Sequence, residues 1–157
     1  MHRIVQITPH FAVTGALQAA DFREAAALGF RSIVSNLPDG EMASVPTSEQ
    51  EAQLATEAGL GFRHIPVTKA DVFSERVVGG TVEALSELPG PVLAHCASGL
   101  RSAVAWAAAA SRGQPVDDVL ARLAAVGFDL EGLRHEFEEQ HDPGHINPIP
   151  PALSVHD

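Results

Sequence analysis

Positive charge is scarce in this chain: 10 Lys and Arg stand against 20 Asp and Glu, a formal net charge of −10. Nucleic acid and anionic membrane surfaces both demand a basic face, so neither is an expected partner. The same field repels anionic small molecules at long range, so any anion site has to work through local geometry. Cysteine is scarcer still. Cys96 stands alone, which excludes an internal disulfide and fits a reducing compartment. The opening MHRIVQITPHF has no apolar signal core, and no apolar run approaches the roughly 20 residues that span a bilayer. A cytoplasmic location is the expectation. Tyrosine is absent and aromatics make up 5% of residues, so Leu, Ile, Val and Ala must fill the interior, with Trp106 expected in the core.

What is present is enough for one domain: 157 residues, 45% hydrophobic, with no internal repeat. Arg3–Ile7 and Phe11–Thr14 read as strands of an N-terminal hairpin broken at Thr8-Pro9. Ala19–Leu28 reads as a helix stopped by Gly29, and Arg31–Ser35 as a strand followed by the turn Asn36–Gly40. Ser48 to Glu51 has capping-box spacing and opens a helix to Ala58. Phe62–Val67 is the next strand, Ser74–Leu88 a helix weakened by Gly79-Gly80, and Val92–His95 a strand. Helices follow through Ala110, over Val116–Val126 and over Leu130–Gln140. Residues 1–140 are thus expected to form the domain. Residues 141–157, rich in Pro and His, are expected to form an extended or mobile tail. The alternation implies a three-layer α/β fold, a mostly parallel sheet flanked by helices. Ligands sit beyond the carboxyl ends of such strands.

Cys96 falls at such an end. In Val92-Leu93-Ala94-His95-Cys96-Ala97-Ser98-Gly99-Leu100-Arg101-Ser102 a buried strand delivers the cysteine into a short loop that closes on an arginine where a helix begins. Unpaired amides at a helix N-terminus point at one anion and carry about half a positive charge. That field favours thiolate over thiol. Ala97, Ser98, Gly99, Leu100 and Arg101 form the candidate anion-binding loop. Gly99 supplies the backbone freedom that turns amides inward, and Arg101 a planar fork for two oxygens of an oxyanion. Ser102 is placed to donate a hydrogen bond to the departing sulfur, and His95 to tune it. The reading requires a reachable sulfur and inward-facing amides.

These residues resemble the signature of the cysteine-based protein tyrosine phosphatases: His-Cys, five residues, Arg, then Ser or Thr. Here only four residues separate Cys96 from Arg101. That shorter loop also resembles single-domain rhodaneses, with Cys-x-x-Gly-x-Arg-Ser. Further segments decide the family. Ile7-Thr8-Pro9, Leu28-Gly29-Phe30-Arg31, Asp39-Gly40-Glu41, Ala58-Gly59-Leu60, His64-Ile65-Pro66-Val67 and Leu88-Pro89-Gly90-Pro91-Val92 together resemble the phosphatase-like domain of the beta-lactamase-hydrolase-like proteins, over about residues 3 to 110. The resemblance implies the dual-specificity phosphatase fold, a bacterial setting, and either phosphatase or sulfurtransferase chemistry. Family members often carry Arg just ahead of Asp-Gly-Glu, where this chain has Pro38.

Three readings stay open on the residues. As a phosphatase, Cys96 attacks phosphorus while the loop and Arg101 hold the oxygens, and a phosphocysteine forms. Phosphatases of this fold place an acidic residue on a loop before the catalytic strand; Asp71 matches it, with Asp39 and Glu41 weaker candidates. As a sulfurtransferase, Cys96 takes up a sulfane sulfur as a persulfide and needs no acid. A weakly active anion-binding or regulatory module is the third. The substrate is a small phosphorylated or sulfur-containing anion, and no cofactor is implied. His141, His145 and His156 with Asp142 do not make a metal site, since Pro143-Gly144 forbids the helix that would align them.

Overall fold

Three four-residue stretches, Phe11–Thr14, Ser32–Ser35 and Val92–His95, are buried at every position. A strand with both faces apolar must lie inside a sheet covered on both sides. The computed structural model, which describes residues 1–142, 144, 146 and 148–156, places them so. Strands β1 (Val5–Thr8), β2 (Phe11–Thr14), β3 (Ser32–Ser35), β4 (Gly61–His64) and β5 (Val92–His95) form one sheet in the order β1-β2-β5-β3-β4. Only the β1–β2 hairpin is antiparallel. Thr14 and Ser35 both pair with His95, so β2, β3 and β5 end level, at the edge where Cys96 emerges.

Alternate residues point to opposite faces. Ala12, Ile33 and Leu93 face α1 (Ala19–Ala27) and α2 (Ser48–Glu57), meeting Leu17, Phe22, Ala25 and Ala55. Phe11, Val13, Val34 and Ala94 face α3 (Glu75–Glu87), α4 (Leu100–Gly113), α5 (Val116–Ala124) and α6 (Arg134–Gln140). Helix α4 is buried from Ser102 to Ser111 without a break. Its run of alanines lets sheet and helices close in on every side, which explains how a core with few aromatics fills its space. Phe11 stacks on Trp106 with ring centroids 6.0 Å apart. No helix among the described residues is long and apolar enough to cross a membrane.

Two local expectations change. The capping box of α2 lies one residue earlier, between Thr47 and Gln50, which exchange bonds of 2.9 and 3.2 Å. Glu51 is thereby freed from the cap and turns inward, 2% exposed. The C-terminal stretch also departs from the extended, mobile arm that its composition predicts. Ala152, Leu153 and Val155 are buried against the α3–α6 face. Trp106 Nε1–H donates to Ala152 O at 2.8 Å, and buried Gln114 clamps Leu153 O and Val155 N–H at 2.6 and 2.8 Å. A proline-rich segment lacks regular periodicity, yet its few apolar side chains cap an otherwise open core. His145 lies outside the described residues; His141 Nδ1 is 2.8 Å from Ser111 O, and His156 faces Asp118.

Leu153 is fully buried, so Leu153→Ala is expected to cost about 2–5 kcal/mol. Urea unfolding measures it; a loss within error would mean the segment does not belong to the core.

Candidate active site

The chain must turn sharply between β5 and α4, and Gly99 makes the turn. Its φ is +93°, in the left-handed region, and a Cβ there would lie 3.4 Å from Thr14 O. This turn aims the Gly99 N–H at Cys96 Sγ, 3.1 Å away, while the Gly99 carbonyl accepts from Ala103 N–H as the first bond of α4. The expected inward-facing amide is therefore present at Gly99. The expected access is not: Cys96 is only 1% exposed.

Arg101 is engaged as well. Its Nη1–H donates to Glu41 Oε1 at 2.8 Å and to Val67 O at 2.7 Å, and its Nη2 pairs with Glu41 Oε2. The hydrogen bonds it donates to Glu41 raise the Arg101 pKa above its ordinary value, opposed by burial and aided by the nearby Cys96. In turn Arg101 holds the Glu41 carboxyl below the usual range. The carboxylate sits across the guanidinium fork in the manner of an oxyanion.

The two acids flanking this pair are engaged as well. Asp39 accepts from Ser48 N–H and Oγ–H at 2.7 and 2.6 Å, which lowers its pKa. Asp71 accepts from Thr68 N–H and from Arg76 Nη2–H, each at 2.7 Å. The Thr68 amide holds its carboxyl below the usual range; burial opposes this, and the hydrogen bond from Arg76 adds to the lowering. Asp71 follows the Val67 carbonyl that Arg101 grips, so the structure brings its loop to the site edge.

Ser102 does not face the sulfur as a free donor. Its hydroxyl donates to Asn36 Oδ1 at 2.8 Å, both residues being buried. Asn36 Nδ2–H donates to Ile65 O at 2.9 Å, and Asn36 N–H to His95 O at 2.7 Å. Sequence reasoning placed Asn36 in a turn and missed this. Its position immediately past a buried strand, at the carboxyl edge, was the available signal. Behind the loop, His95 Nε2 lies 2.5 Å from Glu51 Oε1, the side chains 1% and 3% exposed. His95 Nδ1 has no partner among the described residues. Glu51 was also missed as a site residue, although it shares the inner face of α2 with buried Ala55, one turn on.

A cysteine at a strand end, an amide on its sulfur, an arginine on the first turn beyond and a helix running away from it form the arrangement that the resemblance to cysteine-based phosphatases implies. The comparisons agree. The fold superposes on the active form of Tk-PTP with a TM-score of 0.62 at 19% identity, over 87% of this chain and 95% of that one. A Neisseria meningitidis protein solved as a "putative phosphatase" aligns with a TM-score of 0.74 at 33% identity, over 88% of this chain and 98% of that one. Residues 3–114 match the family model "Beta-lactamase hydrolase-like protein, phosphatase-like domain". The chain belongs to that family. A Beta-lactamase hydrolase-like protein of Xylella fastidiosa is 33% identical over 130 residues, 82% of this chain. The chain spans only 30% of the length of that relative.

Removing one partner from a buried hydrogen-bonded pair leaves the other unsatisfied. Glu51→Ala is expected to lower stability by about 3 kcal/mol, and Glu51→Gln, which keeps an acceptor for His95, by much less. Denaturant unfolding of the two variants tests this; equal costs would deny the His95 contact its role.

Proposed function

We propose that this domain is a cysteine-dependent phosphomonoester hydrolase, with Cys96 as nucleophile and a phosphocysteine intermediate. The observation that carries the reading is the Gly99 N–H on Cys96 Sγ at 3.1 Å, at the N-terminus of α4 and beside Arg101. Membership of a phosphatase-like family supports it. The substrate is a small phosphorylated anion, and the lone cysteine fits a cytoplasmic setting.

In this mechanism the sulfur attacks phosphorus, an S–P bond forms and the P–O bond to the leaving group breaks. Loop amides and Arg101 stabilise the equatorial oxygens. Phosphate takes the place of Glu41 on the guanidinium, which also opens the way to the buried sulfur. Asp71 protonates the leaving oxygen, giving up Arg76 to do so. Water then cleaves the S–P bond, releasing inorganic phosphate and restoring the thiolate. Ser102 acts through Asn36, as a brace of the loop.

The burial of Cys96 and the occupation of Arg101 by Glu41 favour a second reading, an anion-binding module with weak turnover. The short loop keeps persulfide chemistry in the comparison. Purified protein and Cys96→Ser, each assayed with p-nitrophenyl phosphate and with thiosulfate plus cyanide, separate the three. Phosphate release that disappears in the variant is the expected result. Thiocyanate formation would replace it with sulfur transfer, and turnover of neither would leave the binding module.

A general acid works only while protonated, so kcat should fall as pH rises through the pKa of Asp71. Thr68 and Arg76 set that fall at low pH. Arg76→Ala is therefore expected to move the fall to higher pH. Asp71→Asn is expected to abolish that limb and to lower kcat by about a hundredfold on phenyl phosphate. An undiminished rate in Asp71→Asn would remove it from the mechanism.

A further inference from the structure

The Cys96 loop holds one cation, Arg101, and that cation already carries an anion. The guanidinium lies beside the sulfur, whose charge and hydrogen bonding help to raise its pKa. Of the Nη1 hydrogens, one goes to Val67 O at 2.7 Å and one to Glu41 Oε1 at 2.8 Å, while Nη2–H donates to Glu41 Oε2. Parallel donors, one from each nitrogen, are the pair through which a guanidinium recognises a phosphate. Glu41 thus takes up the two bonds that an oxyanion beside Cys96 would need.

The arginine does not depend on Glu41 to stay in place. Val67 O takes an Nη1 hydrogen of its own. Val67 is fully buried, and its N–H donates to Asn36 O at 3.0 Å. When the carboxylate leaves, that anchor remains, and the two parallel donors stand open beside the sulfur.

The carboxylate, by contrast, stands on a strap. Residues 36–47 belong to no strand or helix and run between β3 and α2. Asp39 accepts from Ser48 N–H and Oγ–H at 2.7 and 2.6 Å, which pins the base of the strap. Within it Gly40 and Ser44 take left-handed φ values of +82° and +64°, and Glu41, Ala43 and Ser44 are exposed. The Glu41 side chain is itself 35% exposed, so water receives it on release. Ion pairs open to solvent are weak. An anion bound by Arg101 and the loop amides together has more partners than Glu41 has, and replaces it.

We propose that Glu41 is an internal competitor for the anion site, an autoinhibitory contact that every substrate must displace. The proposal rests on the phosphatase reading above and adds to it a restraint built into the same site. Two other roles make opposite forecasts. A residue that merely aimed Arg101 would weaken anion binding when removed. A residue that repelled anions through space would act by its charge, whether or not it reached the fork.

Two substitutions separate these roles. Glu41→Gln keeps the shape of the side chain and removes its charge. Glu41→Asp keeps the charge and withdraws it by one methylene from the fork. Calorimetric titration with inorganic phosphate is expected to show binding about fivefold tighter in Glu41→Gln than in the wild type, the scale of one partly exposed charge pair. Glu41→Asp is expected to show part of the same gain, and KM for p-nitrophenyl phosphate to fall in the same order. A gain in Glu41→Gln that Glu41→Asp does not share would mark repulsion through space and overturn the proposal. Weaker binding in both would make Glu41 a brace of Arg101 and overturn it as well. If the wild type hydrolyses no p-nitrophenyl phosphate, the phosphatase reading fails on its own. The titration then still decides: tighter phosphate in both variants upholds the internal competitor, and equal or absent binding overturns it.

Discussion

Asn36 holds the site together from beneath. Its amide hydrogen goes to the last residue of β5, its side-chain nitrogen to the chain leaving β4, and its side-chain oxygen receives the Ser102 hydroxyl from the first turn of α4. One buried side chain thus ties together two strand ends and the helix that follows Cys96. Buried networks of this kind are cooperative and costly to break, because each member left without its partner faces an apolar interior. The placement of Cys96 against the Gly99 amide follows from it. The Ser102 bond ties the first turn of α4 to that network.

A second constraint is electrostatic. With twice as many acids as bases, the domain cannot draw an anion in by its overall field, and its cationic character at the Cys96 loop lies in oriented groups. Gly99 N–H and the end of α4 serve at the centre. Arg101 is kept charged and aimed by Glu41 and the Val67 carbonyl. Elsewhere guanidinium groups serve structure: Arg122 reaches the Ile7 and Val155 carbonyls, joining the edge strand to the C-terminal segment.

The fold, and the place of Cys96 in a short loop between strand and helix, were legible in the sequence because they rest on local rules. Strand runs alternate with helices, Gly29 and Gly99 take the left-handed conformations their positions demand, and the cysteine stands at the strand end. What was not legible depended on tertiary partners. Glu51 sits one residue from a true capping position, and nothing local says that it will instead turn inward to meet His95. The lid-like grip of Glu41 on Arg101 spans sixty residues of sequence. The C-terminal stretch has too few apolar residues to announce a core role; only the flank of α4 that it covers, with Trp106, gives them one.

Helix α4 is enclosed along ten consecutive residues, by sheet, by neighbouring helices and by the C-terminal segment. A pillar so tightly held allows the Cys96 loop at its tip little latitude. The rim is built differently, from two stretches far apart in the chain: the Asp39–Glu41 turn and the Thr68–Asp71 loop. Each can change length or chemistry without disturbing the other or the centre. Diversity among related domains should therefore accumulate in that perimeter, with one chemistry surrounded by many selectivities.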